Sequence, residues 1–131
     1  MIIVLDASAG IELSLSRENS EKYGQVLERS TKVISSDLYK AEVTNVLWKY
    51  FKAGQLSKEE TFKCLHYCED LVDEFVDISS NNEEALLEGI RIRHSVYDLL
   101  YLTLARRNGA TLLTQDKKLK EIAKQNGIEV Y

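Results

Sequence analysis

Ile2-Ile3-Val4-Leu5-Asp6 opens this 131-residue chain, and Ala7-Ser8-Ala9-Gly10 follows directly. Four uninterrupted apolar residues closed by a polar one read as a short strand buried on both faces, the pattern of a parallel sheet covered by helices. The small residues behind it read as a turn leading into a helix. The same signature returns near the other end, where Thr111-Leu112-Leu113-Thr114 reads as a strand and Asp116 follows one residue later. If both strands run parallel, Asp6 and Asp116 emerge on one edge of the sheet, and in open α/β sheets ligands bind beyond the carboxyl ends of the strands.

Outside these two strands, helical periodicity predicts helices over about 19–30, 37–52, 57–73, 82–93, 97–107 and 117–126. Short strands are expected at Val33-Ile34, Phe75-Val76-Asp77-Ile78 and Ile128-Glu129-Val130. Asp37 is placed to N-cap its helix and Gly54 to stop it. Ser57 with Glu60 makes a capping box, and Ser95-x-x-Asp98 reads as a second one opening the apolar helix Leu99–Ala105. Proline is absent, and no repeat, linker or low-complexity tract interrupts the chain. Strands alternating with helices give an α/β fold in which residues 1–131 are one domain.

Composition narrows the function classes. With 44% apolar and 29% charged residues the chain has the make-up of an ordinary globular protein. Seventeen basic against twenty-one acidic residues give a net charge of −4, which excludes a protein that coats nucleic acid through bulk charge. Contact with RNA would have to come from local clusters such as Arg106, Arg107, Lys117, Lys118, Lys120 and Lys124, which also read as a solvated helix face. The N-terminal apolar run is too short for a signal segment, lacks a basic flank, and no stretch has membrane-spanning length, so a cytoplasmic protein is expected. Cys64 and Cys68 lie one turn apart on a helix, too far for an undistorted disulfide, and read as packing residues.

The acids carry the chemical signal. Asp98 opens a helix that is apolar almost all round and therefore buried, which turns its carboxylate toward the same cleft as Asp6 and Asp116. Setting Glu42 at zero on a helical wheel puts Leu38 and Val46 about 40° to either side, so Glu42 rides the edge of the core face. Asn45 and Lys49 border it toward solvent, placed to orient a carboxylate or meet a phosphate. Ser8 and Thr114 lie two residues from Asp6 and Asp116, where their hydroxyls would hydrogen-bond the carboxylates or hold water. Helix capping or turn chemistry would explain several of these residues one at a time. Several carboxylates clustered in apolar surroundings call for a compensating cation. His66 and His94 have no second histidine or cysteine at ligand spacing, and an all-oxygen set favours Mg²⁺ or Mn²⁺ over zinc.

Four segments carry a resemblance: Val4–Ala9, Ala41–Leu47, Val96–Ala105 and Leu112–Leu119. In order and spacing they resemble the four motifs of PIN-domain nucleases, most closely the VapC toxins of bacterial and archaeal toxin–antitoxin modules. The resemblance spans essentially the whole chain and implies a three-layer α/β/α PIN-like domain with a central parallel sheet. It implies a metal-dependent endoribonuclease in which Asp6, Glu42, Asp98 and Asp116 hold Mg²⁺ or Mn²⁺, supported by Ser8, Asn45 and Thr114. It also implies a homodimer held inactive by a VapB-like antitoxin. The chain departs from the pattern in having Ser36-Asp37 where many members have a proline, and in being less basic than many.

Two other readings stay open at this point. A PIN-like scaffold would bind RNA or a protein partner without cutting it. A phosphorylated receiver has this length and an acidic pocket, but wants adjacent acids after the first strand, and here Ala7 follows Asp6.

Overall fold

The computed structural model describes residues 1–131. In chain order it consists of β1 (Ile2–Leu5), α1 (Ala7–Ser14), α2 (Ser20–Glu28), β2 (Lys32–Ser36), α3 (Leu38–Lys52), α4 (Lys58–Asp70), β3 (Glu74–Val76), α5 (Asn82–Ile92), α6 (Val96–Asn108), β4 (Thr111–Leu113) and α7 (Lys117–Gln125). A 3₁₀ turn at Ile78–Ser80 joins β3 to α5. The four strands form one parallel sheet in the order β3-β2-β1-β4.

The apolar run of β1 sits at the centre of that sheet. Ile3 and Val4 pair with Val33 and Ile34 on one side and with Thr111 and Leu112 on the other. Ile3, Val4 and Leu5 are fully shielded from solvent, which is why no polar alternation is needed in the strand. Helix α6 lies across β1, β2 and β4 with α5 packed upon it, while α1, α3 and α4 form a second mutually packed group. These layers enclose a continuous apolar core that includes Leu47, Leu99, Leu102 and Leu119. The arrangement is the expected three-layer α/β/α architecture.

One close approach fixes the seat of the first helix. A Cβ added at Gly10 would stand 2.4 Å from the Tyr39 hydroxyl, so glycine is the residue that lets α1 lie against α3. The Tyr39 hydroxyl donates to the Cys68 carbonyl at 2.7 Å, and the Cys68 thiol reaches the Gly10 carbonyl at 3.5 Å. Glycine, tyrosine and cysteine thereby tie α1, α3 and α4 at one point. Cys64 and Cys68 are free thiols, as their helical spacing predicts.

Several local expectations are corrected. The small residues after Asp6 are not a turn before a helix: α1 begins at Ala7, because the Asp6 side chain caps it. Asp37 makes no side-chain cap, and the Leu38 amide is taken instead by the Ser36 hydroxyl at 3.2 Å. Ser95 likewise makes no side-chain cap, and the Asp98 carboxylate that would have reached back to complete the box is bonded to His94. Helix α4 stops at Asp70, three residues earlier than expected. Strand β3 ends at Val76, since the Asp77 carboxylate accepts from the Ser79 amide and turns the chain. The final segment contributes only an isolated bridge, Leu112 to Val130, rather than a strand. No helix is long and apolar enough to cross a membrane.

Candidate active site: an acidic cleft at the carboxyl edge of the sheet

The strand order places β1 between β2 and β4, and the chain leaves β1 for α1 and leaves β4 for α7. Connections diverging from neighbouring parallel strands open a crevice at their carboxyl ends. Asp6 stands at the end of β1 inside that crevice, only 5% exposed. The Ser8 hydroxyl donates to its Oδ1 at 2.6 Å and the Ala9 amide donates to the same oxygen at 2.9 Å. Burial pushes the Asp6 carboxyl up to about 6, against the pull of the Ser8 and Thr114 hydroxyls and the Ala9 amide, with the Glu42 charge adding to the rise. A carboxylate this deep is poised near neutrality and gains from any cation brought beside it.

Asp116 is exposed, at the end of a loop that hydrogen bonds tie down. The Tyr23 hydroxyl donates to the Thr114 carbonyl at 2.9 Å and accepts from the Gln115 side-chain amide at 2.7 Å. The Gln115 backbone amide donates to the Ser8 hydroxyl at 2.8 Å, which joins this loop to the turn after β1. Thr114 does not bond the Asp116 carboxylate. Its hydroxyl accepts from the Asp116 amide at 3.1 Å and faces Ser8 at 3.4 Å. The Asp116 Oδ1 accepts from the Leu119 amide at 2.9 Å, so this acid starts α7 as Asp6 starts α1.

Glu42 and Asp98 reach the crevice from helices. Glu42 is half-buried at the edge of the apolar face of α3, where its angular position predicts. The Tyr101 hydroxyl donates to its Oε1 at 2.6 Å. Asp98 is half-buried and its Oδ2 lies 2.8 Å from His94 Nε2. Burial raises the carboxyls of both above their ordinary range, opposed by Tyr101 for Glu42 and by His94 for Asp98. Each also feels another site acid: Asp98 raises Glu42, and Asp116 raises Asp98.

The four acids are therefore linked in series by charge, Asp6 to Glu42, Glu42 to Asp98 and Asp98 to Asp116. No lysine or arginine forms an ion pair with any of them, and the only salt-bridge partner among the four is His94 on Asp98. No three carboxylates converge tightly enough to make a ready-made cage for an ion. Asn45 is exposed one turn from Glu42 and makes no hydrogen bond to it; Tyr101 does the orienting instead. Two residues of the site thus lay outside the sequence reading. His94 had a signal, its spacing of four from Asp98, whereas Tyr101 meets Glu42 across 59 positions and had none.

Comparison with known proteins gives the same picture at the level of the whole chain. Residues 3–125 match the family model described as PIN domain. The chain is 32% identical over 126 residues to Ribonuclease VapC3 of Pyrobaculum aerophilum, covering 92% of this chain and 94% of that protein. Its fold resembles that of PAE2754 from the same organism, with a TM-score of 0.76 at 23% identity over 99% of this chain and 89% of the other. It also resembles VapBC2 from Rickettsia felis, solved bound to a DNA fragment from their promoter, with a TM-score of 0.71 at 18% identity over 100% and 98% of the two chains.

Proposed function

Because this chain belongs to the PIN-domain family, in its VapC branch, we propose that it is a divalent-metal-dependent endoribonuclease and the toxin of a toxin–antitoxin pair, residues 1–131 acting as one catalytic domain. The observation that carries this reading is the set of uncompensated acids at one edge of the sheet: Asp6, Glu42, Asp98 and Asp116 act on one another through their charges and none of them forms an ion pair with a lysine or arginine. The relative in Pyrobaculum aerophilum is named a ribonuclease, which supplies the substrate class.

The donor set suits Mg²⁺ or Mn²⁺. All four candidate ligands are carboxylate oxygens, and an arrangement too open to form a cage fits an ion that keeps several of its own waters. Such an ion, when bound, acidifies a coordinated water and neutralises charge on the phosphoryl oxygens of the scissile diester. Asp6 presents the oxygen not occupied by Ser8 and Ala9. Glu42 is held by Tyr101 and Asp98 by His94, so neither carboxylate swings freely. Asp116 is fixed by the loop that Thr114 and Ser8 stitch together. Asn45, exposed beside Glu42, is placed to meet a phosphate of the incoming strand.

The same reading extends to partners and place. The Rickettsia felis structure pairs a VapC with its VapB, and this chain has a groove of about 330 Å³ between α3 and α4 lined by Leu47, Trp48, Phe51, Phe62 and Leu65, which suits the apolar face of an antitoxin helix. Leu86, Leu87 and Ile90 are exposed together on α5 and suit a homodimer interface. Such a protein works in the cytoplasm, where its RNA is.

The test combines two measurements. Titrating Mn²⁺ by calorimetry reads the ion, and a mixed RNA pool incubated with the charged protein reads cleavage by its fragments. Saturable binding with defined fragments is expected; full cleavage by Asp98→Asn in Mn²⁺ would refute the assignment. A second reading, a scaffold that binds RNA without cutting, draws on the absence of a preformed cage and predicts binding with no fragments. The receiver reading ends with the family match, which covers residues 3–125.

A further inference from the structure

The basic residues of α6 and α7 divide into two groups that the sequence does not distinguish. Arg106 and Arg107 are engaged: Arg106 bonds Glu84 at 2.6 Å and Glu88 at 2.9 Å, and Arg107 bonds Glu84 at 2.6 Å. Their charge is spent inside the α5–α6 pair. Lys117, Lys118, Lys120 and Lys124 on α7, and Lys22 on α2, form no ion pair at all. Glu121, the one acid of α7, pairs with none of them.

Geometry sorts these lysines further. At 100° per residue, Lys117, Lys120 and Lys124 fall within about 60° on one side of α7, a stripe about 10 Å long. Lys22 joins them from α2: its ammonium lies over the ring of Tyr131, whose carbonyl accepts from the Thr114 amide in the loop before α7, and its charge, like that of Lys124, adds to the burial that depresses the Lys120 ammonium. Asp116 caps the start of α7, so the stripe begins beside that acid, and the Asp6 charge reaches Lys120. It is also locally unfavourable. Lys117 and Lys118 occupy the first turn of α7, where the helix dipole disfavours cations, and Lys120 and Lys124 repel one another at a spacing of four. Residues that oppose both the dipole and each other, in a chain of net charge −4, mark a place where local stability has been yielded to another need.

We propose that the stripe Lys22, Lys117, Lys120 and Lys124 is the surface along which the phosphates of the RNA strand are carried to the four acids, and that Arg106 and Arg107 take no part in RNA binding. This rests on the ribonuclease reading above. A strand laid along α7 enters the cleft over Asp116, the residue that begins the helix. Contacts of this kind fix the position of the backbone without reading its sequence.

The experiment measures the binding of a fluorescent 20-nucleotide single-stranded RNA in EDTA, so that affinity is read without cleavage, across a series of salt concentrations. Each phosphate that the protein no longer neutralises lowers the slope of log affinity against log salt by about 0.7. The triple variant Lys22→Gln/Lys120→Gln/Lys124→Gln is expected to bind at least about tenfold more weakly with a slope lower by about 2. Arg106→Gln/Arg107→Gln is expected to melt at lower temperature yet bind RNA within about twofold of the parent. Should the triple variant fail to fold, the exposed pair Lys117→Gln/Lys124→Gln decides, with an expected slope change of about 1.4. Unchanged affinity and slope in the lysine variants would overturn the proposal and leave the stripe to an acidic protein partner. A parent protein that binds RNA through the stripe but never cuts it would sink the nuclease reading and leave this one standing; a parent that binds no RNA sinks both.

Discussion

Two regions of this molecule use the same residue types to opposite ends. In the α5–α6 pair, Glu84 and Glu88 are met by Arg91, Arg106 and Arg107, and both carboxyls are held below their ordinary range, Glu88 first by its bond to Arg91 and Glu84 by its two arginines against its burial. In the cleft, Asp6, Glu42 and Asp98 are raised, burial being the leading cause for each. One region is electrostatically complete within the chain. The other has no lysine or arginine in ion-pair contact with its acids, and under the proposed function that difference separates a structural ion-pair network from a site.

The sharpest way to break the comparison is to neutralise one acid in each region and read cleavage. Asp98→Asn keeps the shape and removes the charge, and is expected to lower RNA cleavage by about 10³-fold, roughly 4 kcal/mol in the barrier, with the fold intact by circular dichroism. A loss smaller than tenfold would put Asp98 on the structural side of the divide.

Next in size is a pH effect of opposite sign in the two regions. The Asp6 carboxyl rises from 3.8 to about 6 on folding, so the folded protein binds the extra proton between those values. Its contribution to stability is complete below about 3.8 and is lost as pH rises through 6, about 3 kcal/mol in all as an order of magnitude. Metal-free protein melted between pH 4 and 7 should show that decline, and Asp6→Asn should flatten it. Glu84 and Glu88 act in reverse, their contribution present above about 4.5 and lost as pH falls. An Asp6→Asn melting profile that tracks the parent across this range would remove the argument for an uncompensated site.

A smaller effect is expected from the network itself. Glu84→Gln removes the shared partner of Arg106 and Arg107 and should lower stability by about 1–2 kcal/mol, measured by urea denaturation, with cleavage per folded molecule unchanged. Smallest is Tyr101→Phe, which deletes the donor to Glu42. Manganese binding by calorimetry should weaken about tenfold while the fold persists; no change would make Tyr101 a packing residue.

How much of this was legible in the sequence depends on the range of the interaction concerned. Asp6 and Asp116 follow strands whose apolar runs are unbroken, so their common edge could be read from the pattern alone, and the position of Glu42 followed from helical angle. The capping assignment at Asp37 failed because a neighbour competed, Ser36 reaching the Leu38 amide, and the box expected at Ser95 lost its second half when His94 took the Asp98 carboxylate. The residues that orient the acids were harder still. Tyr101 looks like one more apolar position in a buried helix until α3 is laid beside it, and Arg106 looks like Lys120 until Glu84 and Glu88 are folded against it.

Asp6 and Asp116 each close the first turn of a helix with one oxygen, through Ala9 and Leu119, whereas Glu42 and Asp98 sit within helices that begin without them. Decay of the enzyme in descendant lineages should therefore leave an uneven scar. Positions 42 and 98 would be free to drift to any helix-compatible residue once cutting is abandoned, while 6 and 116 would settle on asparagine, serine or threonine, since alanine there would cost each helix about 1 kcal/mol of capping.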